Sequence, residues 1–231
     1  MVTDEIVKKL KSLENPVNIA GMARFGIVTK KAFGISAPAL KNLAKEIKKQ
    51  TQDRHTLALE LWQTGIHEAR IISYLIDDAA QVTEAQMDDW VKDFDNWAIC
   101  DGTCGTLFCK TKFAYQKAFE WSEREEEFIK RAGLVLPAWL AVHDKKADDT
   151  KIEEFLPILE SKANDERSFI KKAVNWSLRQ IGKRNLHLNN LAIETAEKIK
   201  AQGTKSARWI AADALRELTN EKVLERLNKK R

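Results

Sequence analysis

Glycine and proline are scarce in this 231-residue chain, at nine and four residues. So few turn-formers exclude collagen-like or low-complexity sequence and argue against a many-stranded sandwich, whose hairpins depend on them. No uninterrupted apolar run approaches the roughly 20 residues of a membrane-spanning helix. The start, Met1-Val2-Thr3-Asp4-Glu5, lacks the cationic segment and apolar run of a secretory leader. Cysteine is confined to Cys100, Cys104 and Cys109. An odd number without a leader argues for reduced thiols in the cytoplasm, and a soluble intracellular protein is expected. Their spacing lacks the paired CxxC of a structural zinc site and no fourth ligand lies near, so they read as buried thiols. A Walker-type phosphate loop, GxGxxG, HExxH and a nucleophile elbow are all missing, and the four histidines are scattered. No cofactor and no metal are expected.

Charge is plentiful. Lys and Arg number 39 against 34 Asp and Glu, a net +5. A surplus that small does not establish a polyanionic partner; its distribution decides. Acidic stretches from Glu84 to Asp95, Glu120 to Glu127 and Asp144 to Glu154 alternate with basic ones, which predicts positive charge gathered on one side.

Helix punctuation is dense. Thr3, Ser36 before Pro38, Thr83 with Gln86, and Thr150 read as N-caps, and Thr204 and Asn220 open the last two helices. Gly34, Gly65 and Gly203 fit C-terminal stops. No segment alternates apolar and polar residues over a strand's length, so the expectation is all-α, about a dozen helices and essentially no sheet.

Two of those helices repeat. Phe128-Ile129-Lys130-Arg131-Ala132 returns as Phe169-Ile170-Lys171-Lys172-Ala173. Ala69-Arg70-Ile71-Ile72 and Ala207-Arg208-Trp209-Ile210 share a small-cation-apolar arrangement. Taking Arg208 as the counterpart of Lys172 gives intervals of 41 and 36 residues. These suit HEAT or armadillo helix-pair repeats, in which each pair buries its apolar face on its neighbour. The inner helices would run Glu68–Ala80, Phe128–Val142, Phe169–Lys183 and Ser206–Leu218. No linker divides the chain, so residues 1–231 are expected to form one domain, a right-handed α-α superhelix.

The second copy carries the functional signal. Lys172, Trp176, Arg179 and Lys183 share one helix face, whereas Ile170, Val174, Leu178 and Ile181 fall on another. No Asp or Glu occurs from Ser168 to Leu191. A basic-aromatic stripe opposite a core stripe suits a polyanion. Elsewhere Trp97 and Asp101 stand four apart, one helical turn if the segment is helical. Bland readings remain open beside these: Asp101 before Gly102-Thr103 as a helix N-cap, Trp97 as core, and Arg131 as a salt-bridged structural arginine.

Met22-Ala23-Arg24-Phe25 followed by Phe33-Gly34-Ile35-Ser36-Ala37-Pro38 resembles the N-terminal pattern of the bacterial AlkD-like DNA alkylation repair glycosylases. Trp97-x3-Asp101, Lys130-Arg131-Ala132 and the helix from Lys172 to Arg179 are similar to that family in the same order, and the likeness thins after about Asn190. The resemblance implies a HEAT-like solenoid with a concave basic face on duplex DNA, removing purines alkylated at N3 or N7. It implies Asp101 as the catalytic carboxylate, Trp97 and Trp176 as aromatic contacts to the lesion nucleotide, and Arg131 as a phosphate contact. Lys172, Arg179 and Lys183 would add phosphate contacts from the basic stripe, and Arg24, Phe25 and Ser36 are further DNA-contact candidates. Ala98, Phe25 and Ser36 depart from the residues found in relatives, which bears on DNA contacts and lesion range. The partner expected is double-stranded DNA containing alkylated bases, met by a monomer without membrane or metal. No lysine stands out as a Schiff-base nucleophile, so a glycosylase here would be monofunctional. Two other readings are a non-catalytic HEAT-like protein binding branched or unusual DNA and a protein-binding HEAT scaffold.

Overall fold

A computed structural model describes residues 1–28 and 31–229. No strand occurs among the described residues, and the chain folds into two compact units, Met1–Lys112 and Phe113–Arg231. The first unit holds α1 (Thr3–Ser12), α2 (Pro16–Arg24), α3 (Ala37–Gln50), α4 (Arg54–Gln63), α5 (His67–Ile76), α6 (Glu84–Lys92) and α7 (Trp97–Thr106), then a 3₁₀ turn at Phe108–Lys110. The second holds α8 (Ala114–Ser122), α9 (Glu127–His143), α10 (Asp149–Glu153), α11 (Phe155–Ser161), α12 (Ser168–Gly182), α13 (Leu186–Ala201), α14 (Lys205–Leu218) and α15 (Glu221–Asn228). Fifteen α-helices among the described residues exceed the dozen expected, chiefly because the chain breaks into short pieces such as α10 and α11.

Most of the cap grammar holds. The Thr83, Thr204 and Asn220 side chains accept backbone N–H bonds from Gln86, Ala207 and Lys222. Gly65 and Gly203 follow the C-caps of α4 and α13 with φ of 66° and 75°. Three assignments are corrected. Val2, not Thr3, is the N-cap of α1, and Asp148, not Thr150, that of α10. Gly34 ends no helix; its φ of 70° serves the loop before α3. There the buried Glu68 carboxylate accepts N–H bonds from Phe33, Gly34 and Ile35 at 2.9, 2.7 and 3.3 Å, a tertiary tie that local sequence does not announce.

The core of the first unit centres on Trp62 and Trp90, stacked at 3.9 Å with Phe94 and Phe108 tilted around them. Burying side chains of this size contributes roughly 1.5–3 kcal/mol each. The Trp62 indole donates to Asp93 at 2.8 Å, and Arg70 lies over its ring. Helix α5 stops at Ile76, four residues short of the expected inner helix. The Asp77 carboxylate at that point engages His55 Nδ1 at 2.7 Å and Gln86 at 2.8 Å.

The second unit is built on α9, α12 and α14, which match the expected inner helices to within a residue or two. Residues Ile129 to Ala138 of α9 are continuously buried. A Cβ at Gly133 would stand 2.2 Å from the Ser122 backbone nitrogen, so only glycine lets α9 pass the end of α8. The Ser177 hydroxyl donates to the Leu134 carbonyl, tying α12 to α9. Asn189 bridges the Gly182 and Leu218 carbonyls at 3.0 and 3.2 Å, tying α13 to the ends of α12 and α14.

Candidate nucleic-acid interface

In the first unit the interface candidates gather on α7. Asn96 is fully buried, and its Oδ1 accepts from the Ala98 and Ile99 amides at 3.0 and 3.1 Å, so Asn96 is the N-cap. Asp101 therefore lies inside the helix, which corrects the N-cap reading of that residue. Ile99, Cys100, Thr103 and Cys104 form the buried face. Trp97, Ala98, Asp101, Gly102, Gly105 and Thr106 form a partly exposed stripe at helical spacing. Four of those six are small or hydroxylated, so Trp97 and Asp101 are the functional groups that stand out on it.

Trp97 is half-buried rather than core. Its Nε1 donates to the Phe25 carbonyl at 2.7 Å, which joins α7 to the C-terminal end of α2. Phe25 itself is 72% exposed, and Arg24 beside it is also exposed. Ser36 is exposed at the N-cap of α3. The structure thus brings Phe25 and Trp97 together. The Tyr74 hydroxyl seats against Gly102, where an added Cβ would meet it at 2.5 Å. Burial pushes the Tyr74 pKa well above its ordinary value, so the group acts as a neutral phenol. A cavity of about 300 Å³ lies among α3, α5 and α7, with walls that include Leu40, Ile71, Leu75 and Ala98. Asp101 and Trp97 are outside the lining of that cavity.

The cysteines are buried and none is in a disulfide, as the thiol reading expects. Burial pushes the Cys109 thiol up to about 11, which makes it a poor nucleophile. Among the described residues no group of three His, Cys, Asp or Glu is placed to hold a metal ion.

In the second unit Arg131 is 6% exposed and donates from Nη1 to the Phe169 carbonyl at 2.5 Å, with its guanidinium over the Phe169 ring. Lys172 is exposed and makes no ion pair among the described residues. Trp176 is half-buried, edge-on to Trp139 at 5.2 Å, and Trp139 stacks on His143. Trp139 is an aromatic neighbour that sequence reasoning missed, because it lies on the preceding repeat.

The cations of the basic stripe on α12 differ in their surroundings. That helix carries no acid, but α14 supplies two. Arg179 pairs with Asp213 at 2.8 Å and with Glu217, and Lys183 pairs with Glu217 at 2.7 Å. Asn175 donates to Asp213 at 2.7 Å. This hydrogen bond and the Arg179 guanidinium hold Asp213 below the usual carboxylate range. Burial alone would raise Glu217, but hydrogen bonds from Lys183 and Arg179 bring it down. A phosphate reaching Arg179 or Lys183 must displace or share these carboxylates; one reaching Lys172 meets no such competition.

An open cleft of about 900 Å³ in the second unit is lined by Lys145, Lys183, Arg184 and Arg226 with Asp148 and Asp149. Arg184 is a structural cap there. It donates to the Ala141, Asp144 and Ala147 carbonyls at 3.0, 2.8 and 2.8 Å, at the negative end of α9.

All-helical units built on repeated helices put the chain in the HEAT-like class. A solved structure described as "a new family of proteins related to the HEAT-like repeat DNA glycosylases with affinity for branched DNA structures" shares the fold. Its TM-score is 0.76, at 21% identity over 94% of this chain and 96% of the other. The model of the DNA alkylation repair enzyme family matches residues 6–218, and the chain belongs to that family. No curated protein matches the sequence. No helix among the described residues is long and apolar enough to cross a membrane.

Proposed function

We propose that the protein is a monofunctional DNA glycosylase that hydrolyses the N-glycosidic bond of purines carrying a cationic N3 or N7 alkyl group in duplex DNA. The observation that carries this reading is Asp101, a partly exposed carboxylate inside α7, one turn from the anchored indole of Trp97. A cationic alkylpurine is already a good leaving group, so the acid of the usual carboxylate pair is not required. One ionised carboxylate then suffices to stabilise the oxocarbenium-like sugar and to position the attacking water. An indole face adds roughly 0.5–2 kcal/mol of attraction for the positive charge on base or sugar. The partial exposure of Asp101 is compatible with a lesion held at the protein surface.

In the second unit Lys172 is the accessible phosphate contact, Arg131 a second one ordered by Phe169, and Trp176 the aromatic contact. Arg179 and Lys183 join only by exchanging partners with Asp213 and Glu217. Arg24, Phe25 and Ser36 supply the exposed edge of the first unit. The test is release of free 3-methyladenine and 7-methylguanine from methylated duplex, leaving alkali-labile abasic sites. Absence of both products would overturn the reading.

The second reading is a non-catalytic binder of branched DNA. It is supported by the affinity described for the structurally similar protein. It predicts tight junction binding with no base release.

A further inference from the structure

The repeat register of the second unit places a tryptophan where two cations stand in the preceding repeats. Buried positions fix the register. Ile129, Ala132, Gly133, Leu136 and Leu140 of α9 correspond at a constant offset of 41 residues to Ile170, Ala173, Val174, Ser177 and Ile181 of α12. These correspond at a constant 37 to Ala207, Ile210, Ala211, Ala214 and Leu218 of α14. On this register Arg131 and Lys172 are followed by Trp209, and Arg208 is the counterpart of Lys171. That corrects the pairing of Lys172 with Arg208 expected from the sequence, because burial rather than residue type sets the alignment.

Trp209 is 41% exposed, which is unusual for the residue with the largest apolar surface. Lys171 Nζ lies 5.5 Å from its ring centroid, and Lys172, Lys205 and Arg208 on the same two helices are exposed. Helix α12 has no acid, and the first acid on α14 is Asp213, which is occupied by Asn175, Arg179 and Arg216. The loop before α12 adds Glu166, whose carboxylate accepts from the Ser206 amide at 3.1 Å, so the cation shown against the indole itself is Lys171. A ring interleaved with cations is the arrangement that binds unpaired nucleotides: the base stacks on the ring while the flanking phosphates meet the cations.

We infer that Trp209, with Lys171 beside it, is a stacking platform for an unpaired nucleobase, giving the second unit a preference for DNA that carries a single-stranded interruption. This deepens the proposed function and rests on its DNA partner, but not on catalysis by Asp101. A protein partner at the same face would need an acidic surface instead and would not discriminate between DNA forms.

The test compares two dumbbell DNAs, closed by hairpins at both ends so that neither offers a frayed terminus. One has a continuous duplex and the other a short thymine bulge at its centre. Affinities are measured by fluorescence anisotropy at one fixed salt concentration for wild type, Trp209→Leu, Trp209→Phe and Lys171→Ala. Wild type is expected to favour the bulged form. Trp209→Leu, which keeps apolar bulk without a ring, should lose about 5- to 100-fold on the bulge and little on the continuous duplex. Trp209→Phe should restore most of the preference, and Lys171→Ala should weaken it. Equal affinities of wild type and Trp209→Leu on the bulge, or equal losses on both DNAs, would overturn this inference while leaving the glycosylase reading in place. Binding of neither DNA by wild type would likewise overturn this inference, whereas the glycosylase reading stands or falls on base release from methylated duplex.

Discussion

The indole of Trp97 donates its N–H to the carbonyl of Phe25, 72 residues earlier, at 2.7 Å. That contact fixes the start of α7 against the end of α2 and sets the face on which Asp101 is displayed one turn later. Replacing Trp97 with Phe keeps a ring but removes the donor. The expected loss of stability is about 1 kcal/mol by urea denaturation. Base release should fall by more than duplex affinity does, because the ring and the helix it anchors are displaced together.

Gly102 is the point where Tyr74 touches α7, and a Cβ there would meet the phenol oxygen at 2.5 Å. Tyr74 is nearly buried, so it cannot swing aside cheaply. Gly102→Ala should destabilise by about 1–3 kcal/mol through overpacking. Gly21→Ala is the control, since nothing lies within 4 Å of its added carbon and its helix favours alanine. It should be neutral or stabilise by up to about 1 kcal/mol. Thermal melts of both variants distinguish the two outcomes.

How much of this was legible beforehand varied with the range of the interaction. The near-identical pentapeptides at Phe128 and Phe169 announce α9 and α12, and the caps at Thr83, Thr204 and Asn220 follow from local chemistry. Asp101 is different. Its local neighbours suggest a cap, and only the buried Asn96 amide in that role shows that the carboxylate is interior to its helix. The neutralisation of Arg179 and Lys183 was invisible because Asp213 and Glu217 lie 34 to 38 residues away on α14. Gly34 looked like a helix stop because glycine marks left-handed backbone wherever it occurs, while the Glu68 carboxylate that needs it there comes from a later helix.

Asp213 and Glu217 have folded-state pKa values below their ordinary ones of 3.8 and 4.5. Their contribution to stability is therefore complete above the ordinary values and is lost as pH falls through the depressed ones. Both carboxylates are partly solvated, so the effect is modest. Wild type should lose urea resistance as pH falls below 4.5 toward about 3, and the Asp213→Asn, Glu217→Gln double variant should show a shallower decline there. An unchanged slope in the double variant would mean that these ion pairs contribute no net stability.

Lys172 and Arg179 lie on the same helix with different electrostatic surroundings. If Lys172 contacts a phosphate, Lys172→Ala should lower the slope of log affinity against log salt by about 0.9. Arg179→Ala should lower it by less, because its charge is already committed to Asp213 and Glu217. Salt titrations of duplex binding provide the comparison. A larger change for Arg179 would mean that DNA breaks those pairs.

The most direct measurement is single-turnover release of 7-methylguanine from a duplex containing one such lesion, with Asp101→Asn beside wild type and duplex affinity measured for both. The variant should bind the duplex as wild type does and release base at least ~10²-fold more slowly, the loss expected on removing a charge that stabilises the transition state. Equal rates for the two proteins would contradict the assignment of Asp101 as the catalytic carboxylate.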